Sequence, residues 1–294
     1  MSRLGRLVET AAGATALAMT RLLPRRSLLA LGATAGAIVG RIDRRRTAIA
    51  RQNLEDAYGD ELPEDERERI VRACWRHFGR MALDAIAFPA LTPEATQSIL
   101  RVEGLDRARE ALAQGRGLLV FSAHFGQWEA GIAAMRRLGV PLSVIVRPLD
   151  NPALDRRMME LRGQAGVSAI PKRSAMRESL RALADGHGVV MLIDQDARHA
   201  GVFVPYFGRP ASTTPALALL ALRTKAPILP VATMLSPDGT IAVHVEPPVE
   251  IQPSGDRDAD VVRVTAACTA IVERWVRSKP EQWLWMHRRW KSQP

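Results

Sequence analysis

The stretch L-L-V-F-S-A-H-F-G-Q-W-E, residues 118–129, decides how this chain folds. Leu118–Ala123 is a continuous run of apolar and small residues without polar alternation, the pattern of a strand covered on both faces. His124 stands where that run stops, Phe125-Gly126 makes a turn, and Gln127-Trp128-Glu129 opens a helical stretch. Strand, loop and helix therefore meet at a histidine.

Working outward, L-D-R-A-R-E-A-L-A-Q after Gly104 reads as a helix that Gly115-Arg116-Gly117 interrupts. Downstream, strands are predicted at Leu142–Val146, Val167–Ile170, Gly188–Ile193 and Ile228–Thr233, with Ile241–Val245 as an antiparallel or edge strand. Helices are predicted at Pro152–Arg162, Ala175–Ala184, Pro215–Thr224 and Asp260–Val276. This alternation predicts an α/β fold, a mixed, largely parallel central sheet flanked by helices. Ligands collect beyond the carboxyl ends of strands in such sheets. His124, Arg147 and Asp194 each follow a predicted strand, so three separated parts of the chain converge on one site.

A hydroxyl that attacks a carbonyl must lose its proton as the new bond forms, and histidine accepts a proton near neutral pH. A carboxylate on the other ring nitrogen fixes the tautomer and supports the imidazolium. Glu129 lies five positions after His124, and the intervening glycine lets the loop fold back so that the pair can touch. With six histidines and 31 acidic residues in the chain, this spacing alone is an ordinary coincidence, and a structural histidine is the competing reading.

Several classes lose their usual marks. There is no GxGxxG in a dinucleotide-binding context and no GxxxxGK[ST], and Gly166-Val-Ser168-Ala-Ile170 fails as a nucleophile elbow at its last position. The histidines are dispersed and no HExxH occurs, so neither a metal nor a resident cofactor is expected. Cys74 and Cys268 lie far apart outside any CxxC and read as small apolar fillers in a reducing compartment, or as one disulfide.

The formal charge is +10, and residues 1–51 hold ten arginines against only Glu9 and Asp43. Two apolar stretches there, Ala11–Met19 and Leu28–Gly40, are each shorter than the roughly 20 residues of a bilayer span. They suit an interface, arginines meeting lipid phosphates while leucine and alanine enter the acyl region. Residues 1–46 are read as an N-terminal helical, basic and apolar membrane-associating segment, and 47–294 as the catalytic domain. A cleaved export signal and a helix pair packed on the soluble core are the competing readings. Helices follow at Thr47–Ala57 and from Pro63 to Phe88, the latter with an acidic start that complements the helix dipole. Near the carboxyl terminus, Trp283, Trp285 and Trp290 beside His287, Arg288, Arg289 and Lys291 suit a headgroup interface or a wrap over the core.

The string S-A-H-F-G-Q-W-E at 122–129 resembles the His-x4-Asp/Glu block of glycerolipid-type acyltransferases, particularly the lipid A lauroyl/myristoyl acyltransferase family. Further blocks resemble that family in order: R-Q-N-L-E-D-A-Y at 51–58, R-P-L-D-N-P-A-L-D at 147–155, D-Q-D at 194–196, F-V-P-Y-F-G-R-P-A-S-T-T-P at 203–215 and P-E-Q-W-L-W-M-H-R-R-W-K at 280–291. The resemblance implies acyl transfer without a covalent acyl-enzyme, with His124 as general base and Glu129 orienting it. It implies substrate-binding roles for Arg147 on a phosphate, for Asn151 in the same block, for Asp194 and Gln195, and for Phe207-Gly208 as a close-fitting turn. The co-substrate it implies is a thioester of acyl carrier protein or coenzyme A, and the acceptor an anionic lipid, a lipid A precursor first. A phosphatidylinositol mannoside or phospholipid acceptor with acyl-CoA is the alternative. The implied location is the cytoplasmic face of the cell inner membrane, peripheral or monotopic. No zinc finger, RNA-recognition signature or clear helix-turn-helix is visible, so no nucleic acid is expected. A basic membrane- or nucleic-acid-binding protein is the non-enzyme alternative.

Overall fold

The computed structural model describes residues 22–88, 91–146 and 166–294, together with positions 151–152, 155–156, 159–160 and 163. Its central strand, β2 (Leu118–Ser122), is buried along its whole length. Leu119 and Phe121 enter one hydrophobic core while Leu118 and Val120 enter the other, which is why the sequence runs apolar without alternating.

β2 lies between β5 (Gly188–Leu192) and β8 (Ile228–Leu235) and is parallel to both. β3 (Leu142–Val146) pairs with β5, and β4 (Val167–Pro171) pairs with β3, again in parallel. On the other side β9 (Ile241–Val245) runs antiparallel to β8, and β1 (Leu100–Glu103) runs parallel to β9. The order is β1-β9-β8-β2-β5-β3-β4, the mixed, largely parallel sheet read from the sequence. Ile241–Val245 is antiparallel to one neighbour, but it is not an edge, because β1 covers its outer side. β6 (Val202–Tyr206) and β7 (Arg209–Thr213) add a separate antiparallel hairpin.

Helices cover both faces. α5 (Leu105–Leu112) contributes Ala108 and Ala111 to the core with Leu118, and α6 (Trp128–Met135) adds Ala130, Ala134 and Met135. On the opposite face, α8 (Ala216–Thr224) and α9 (Arg257–Ser278) pack against Phe121, joined by α2 (Arg44–Tyr58) and α3 (Glu64–Ala87). α4 (Pro93–Ile99) leads into β1, and α7 (Ala175–Ala184) connects β4 to β5.

Residues 1–21, with the apolar stretch Ala11–Met19, lie outside the described residues. α1 (Arg25–Ile42) packs lengthwise on α3 with Leu28, Leu29 and Ala33 buried. The two backbones approach so closely that a Cβ on Gly36 would lie 2.1 Å from the Trp75 carbonyl oxygen, and one on Gly79 2.1 Å from that of Gly32. The expected boundary at residue 46 falls inside α2. Among the described residues no helix is long and apolar enough to cross a membrane. Both cysteines are free and buried. The C-terminal tryptophans are buried too, so the tail wraps over the core.

Candidate active site

Because β2 and β5 are adjacent, parallel and in register from Leu118–Gly188 to Ser122–Leu192, the residues that leave their carboxyl ends emerge side by side. His124 and Asp194 are those residues. His124 Nδ1 lies 2.9 Å from Asp194 Oδ1, and the His124 backbone N–H donates to Asp194 Oδ2 at 2.9 Å. Trp283 Nε1 donates to that second oxygen at 2.8 Å. A carboxylate facing Nδ1 keeps the ring proton there and leaves Nε2 with a lone pair. The His124 side chain is 21% exposed and that of Asp194 2%, so the proton acceptor reaches the surface while its support does not.

Burial pushes the Asp194 carboxyl up, but the His124 ring, the two N–H bonds from His124 and the Trp283 indole outweigh it and hold the group down to about 2. Asp194 is therefore ionised at neutral pH. Gln195, exposed, places its Nε2 3.4 Å from His124 Nε2 on the open side of the ring. The Trp128 ring meets the imidazole edge-on, centroids 5.2 Å apart.

The turn that carries the histidine is held group by group. The His124 carbonyl accepts from Leu284 N at 3.1 Å, and Gly126 N donates to the Gln282 carbonyl at 3.0 Å. The Phe125 carbonyl accepts from Thr233 Oγ1 at 3.2 Å, and that of Gly126 from His77 Nε2 at 3.3 Å. Burial lowers His77 to about 4, so its ring stays neutral at pH 7, and facing a carbonyl it carries the proton on Nε2. Gly126 has φ +59°, and a Cβ there would lie 1.6 Å from the Thr233 carbonyl oxygen. No side chain fits this turn.

The carboxyl-terminal segment completes the support. Asn53, from the R-Q-N-L block, donates to the carbonyls of Trp285 and His287 at 2.6 Å each. His287 Nε2 accepts the Asp196 backbone N–H at 3.0 Å, which pins the turn after Asp194. Burial lowers the affinity of His287 for a proton, consistent with an acceptor role.

Of the residues expected from sequence, His124, Asp194 and Gln195 are brought together. The expectation that Glu129 orients the histidine through its second nitrogen is corrected: that nitrogen faces Asp194, and Glu129 sits half-buried in the first turn of α6. The reason is register, since β2 and β5 place a carboxylate against the ring from 70 positions away. Arg147 lies outside the described residues. Asn151 is buried, and its carbonyl accepts Asp155 N at 2.9 Å. Phe207 and Gly208 form the β6–β7 hairpin turn with φ +50° and +69°. The Phe207 ring packs 5.2 Å from Tyr58 with the Arg277 guanidinium 4.5 Å above it. Phe207 is buried in this packing while Gly208, at the tip of the turn, is exposed.

Trp283 and His77 were not singled out as site residues from sequence. A buried indole needs a partner for its N–H, and that requirement was the available clue to Trp283. Taken together, these groups can accept the proton of a hydroxyl at His124 Nε2 and stabilise the resulting imidazolium from the buried side.

The family model described as bacterial lipid A biosynthesis acyltransferase matches residues 2–292. A lipid A biosynthesis palmitoleoyltransferase of Escherichia coli (strain K12) is 31% identical over 277 residues, which cover 92% of this chain and 87% of that protein. The lipid A biosynthesis lauroyltransferase of the same strain is 30% identical, covering 92% and 88%. A phosphatidylinositol mannoside acyltransferase of Mycolicibacterium smegmatis (strain ATCC 700084 / mc(2)155) is 27% identical, covering 82% and 78%.

Proposed function

The chain belongs to the bacterial lipid A biosynthesis acyltransferase family, and we propose that it moves a fatty acyl chain from the thioester of acyl carrier protein to a hydroxyl or hydroxyacyl group of a lipid A precursor. The observation that carries the mechanism is the partly exposed His124 ring backed by a buried, ionised Asp194. His124 Nε2 takes the acceptor proton as the acceptor oxygen bonds to the thioester carbon. The carbon–sulfur bond then breaks, and the thiolate leaves or recovers the proton from the imidazolium. Asp194 stabilises that imidazolium, as the acid of a triad does. Gln195 borders the face of the ring from which the hydroxyl arrives. Glu129, in the family's His-x4-Asp/Glu block, and Arg147, whose guanidinium fork suits phosphate, bind or position substrate, as does Asn151.

Peripheral contact with the cytoplasmic face of the inner membrane belongs to the same reading. Leu31, Ile38 and Ile42 of α1 share a helix face through i, i+7 and i+11 spacing, and all three are exposed, Ile42 by 74%. Arg26, Arg41, Arg44 and Arg45 accompany this apolar row. Apolar insertion combined with basic contact to anionic headgroups favours such a helix at an interface.

The likeness to the mannoside acyltransferase keeps a second acceptor in view, a phosphatidylinositol mannoside acylated from acyl-CoA. Purified protein is offered acyl-carrier-protein thioester with a lipid A precursor, and acyl-CoA with a phosphatidylinositol mannoside, and the lipids are weighed by mass spectrometry. A gain of one acyl chain on the lipid A precursor is expected. Acylation of the mannoside alone would reverse the choice of acceptor.

A further inference from the structure

Gln127 does none of the chemistry above, yet it is fully buried directly after the histidine turn. Its Nε2 donates to Asp84 Oδ2 at 2.7 Å. Asp84, on α3 with no exposed side-chain surface, is gripped by Arg25 through two bonds, Nε to Oδ1 at 2.6 Å and Nη2 to Oδ2 at 2.9 Å. Arg25 is the first residue of α1, and its remaining nitrogen donates to the Gly239 carbonyl between β8 and β9. A fork from one helix thus holds a carboxylate on a second, and that carboxylate holds the catalytic turn.

Burying a carboxylate and a guanidinium is a poor way to fasten two helices, because desolvation consumes most of the attraction. α1 is already fastened to α3 by buried Leu28, Leu29 and Ala33 and by the close glycine crossing. What the charged pair adds is direction: a bidentate fork fixes where Asp84 aims, and through it where the Gln127 amide sits. Gln127 immediately precedes α6, from whose first residue the Trp128 ring packs on His124. Displacing the Gln127 backbone shifts both that ring and the turn carrying the base.

We propose that Arg25, Asp84 and Gln127 are positioning residues for His124, so that α1, the helix with the exposed apolar face, forms part of the scaffold that aims the base. This rests on the reading of His124 as general base. The consequence is that α1 does more than present an apolar face to a surface.

The test is a double-mutant cycle on the full chain, with kcat and KM measured for Arg25→Met, Gln127→Leu and the pair, each corrected for folded fraction by thermal melting. Each single change is expected to lower kcat about tenfold with KM within about twofold of the original, since small misplacements of a catalytic group cost rate before binding. The pair is expected to lose little beyond the worse single change, because both cut one chain of contacts. Arg25→Lys, which keeps the charge without the fork, is expected to restore part of the loss, and it takes the place of Arg25→Met in the cycle if that variant does not fold. Unchanged kcat in both singles, losses that multiply in the pair, or a loss confined to KM would overturn the proposal. His124→Ala runs alongside: full turnover in that control defeats the general-base reading itself, whereas a dead control beside unaffected Arg25 and Gln127 variants defeats this inference alone.

Discussion

Replacing Asp194 by asparagine perturbs the site with almost no change in volume. The carboxylate takes His124 Nδ1 on one oxygen and two N–H donors, from the His124 backbone and Trp283, on the other. An amide cannot serve all three. If its oxygen faces Nδ1, its NH2 confronts two donors and leaves both without an acceptor. If it flips, the NH2 faces Nδ1 and drives the proton to Nε2, where the base needs a lone pair. Either orientation also removes the charge that stabilises the imidazolium. The expected loss is about 10³-fold or more in kcat, as for the corresponding change in a hydrolase triad. Each stranded buried donor costs about 1–3 kcal/mol of stability. The acid limb of stability carries a second signature. The folded carboxyl is depressed from 3.8 to about 2, so its contribution is present above pH 3.8 and is lost as pH falls through about 2. A shift of that size is worth roughly 2 kcal/mol. The variant should lack this acid-dependent component in denaturant titrations between about pH 4 and 2. Steady-state acyl transfer together with those titrations makes the check. An Asp194→Asn enzyme within twofold of the original kcat, beside a Glu129→Gln enzyme that has lost turnover, would refute the assignment of Asp194 as the partner.

Three further outcomes are expected. Gly126→Ala, at φ +59° and with a Cβ aimed at the Thr233 carbonyl, should lower the melting temperature and abolish turnover by displacing the turn, read by calorimetry and assay. Trp283→Phe keeps most of the ring but deletes the donor to Asp194 Oδ2, and should lower kcat about tenfold at a stability cost near 1 kcal/mol. Ile38→Asp with Ile42→Asp, both on the outer face of α1, should weaken sedimentation with anionic vesicles while the melting temperature stays within a few degrees.

The sheet was legible where a segment's burial alone fixes its composition. Leu118–Ser122 reads as a strand because both faces are covered, and Gly188–Leu192 shows the same continuous pattern for the same reason. Leu100–Glu103 escaped because four residues at an edge carry no periodicity, and β6 and β7 because Pro205 and Pro210 argue against strands except in a two-stranded ribbon like this one. His124 was legible at the end of its strand, but its partner was not. The carboxylate five positions away is the natural local choice, whereas the actual one is delivered by strand register that no spacing in the sequence records. The tail was ambiguous for a different reason: tryptophan beside arginine has the same composition in a lipid interface and in a core. What separates the two is where each N–H goes, and Trp283 and Trp285 both donate inside the protein.

Acyl transfer by purified His124→Ala tests the general-base assignment most directly, followed by mass spectrometry of the acceptor lipid with circular dichroism to verify the fold. A folded variant whose turnover has dropped by a factor of at least about 10² is predicted. A folded variant that acylates at the original rate would contradict it.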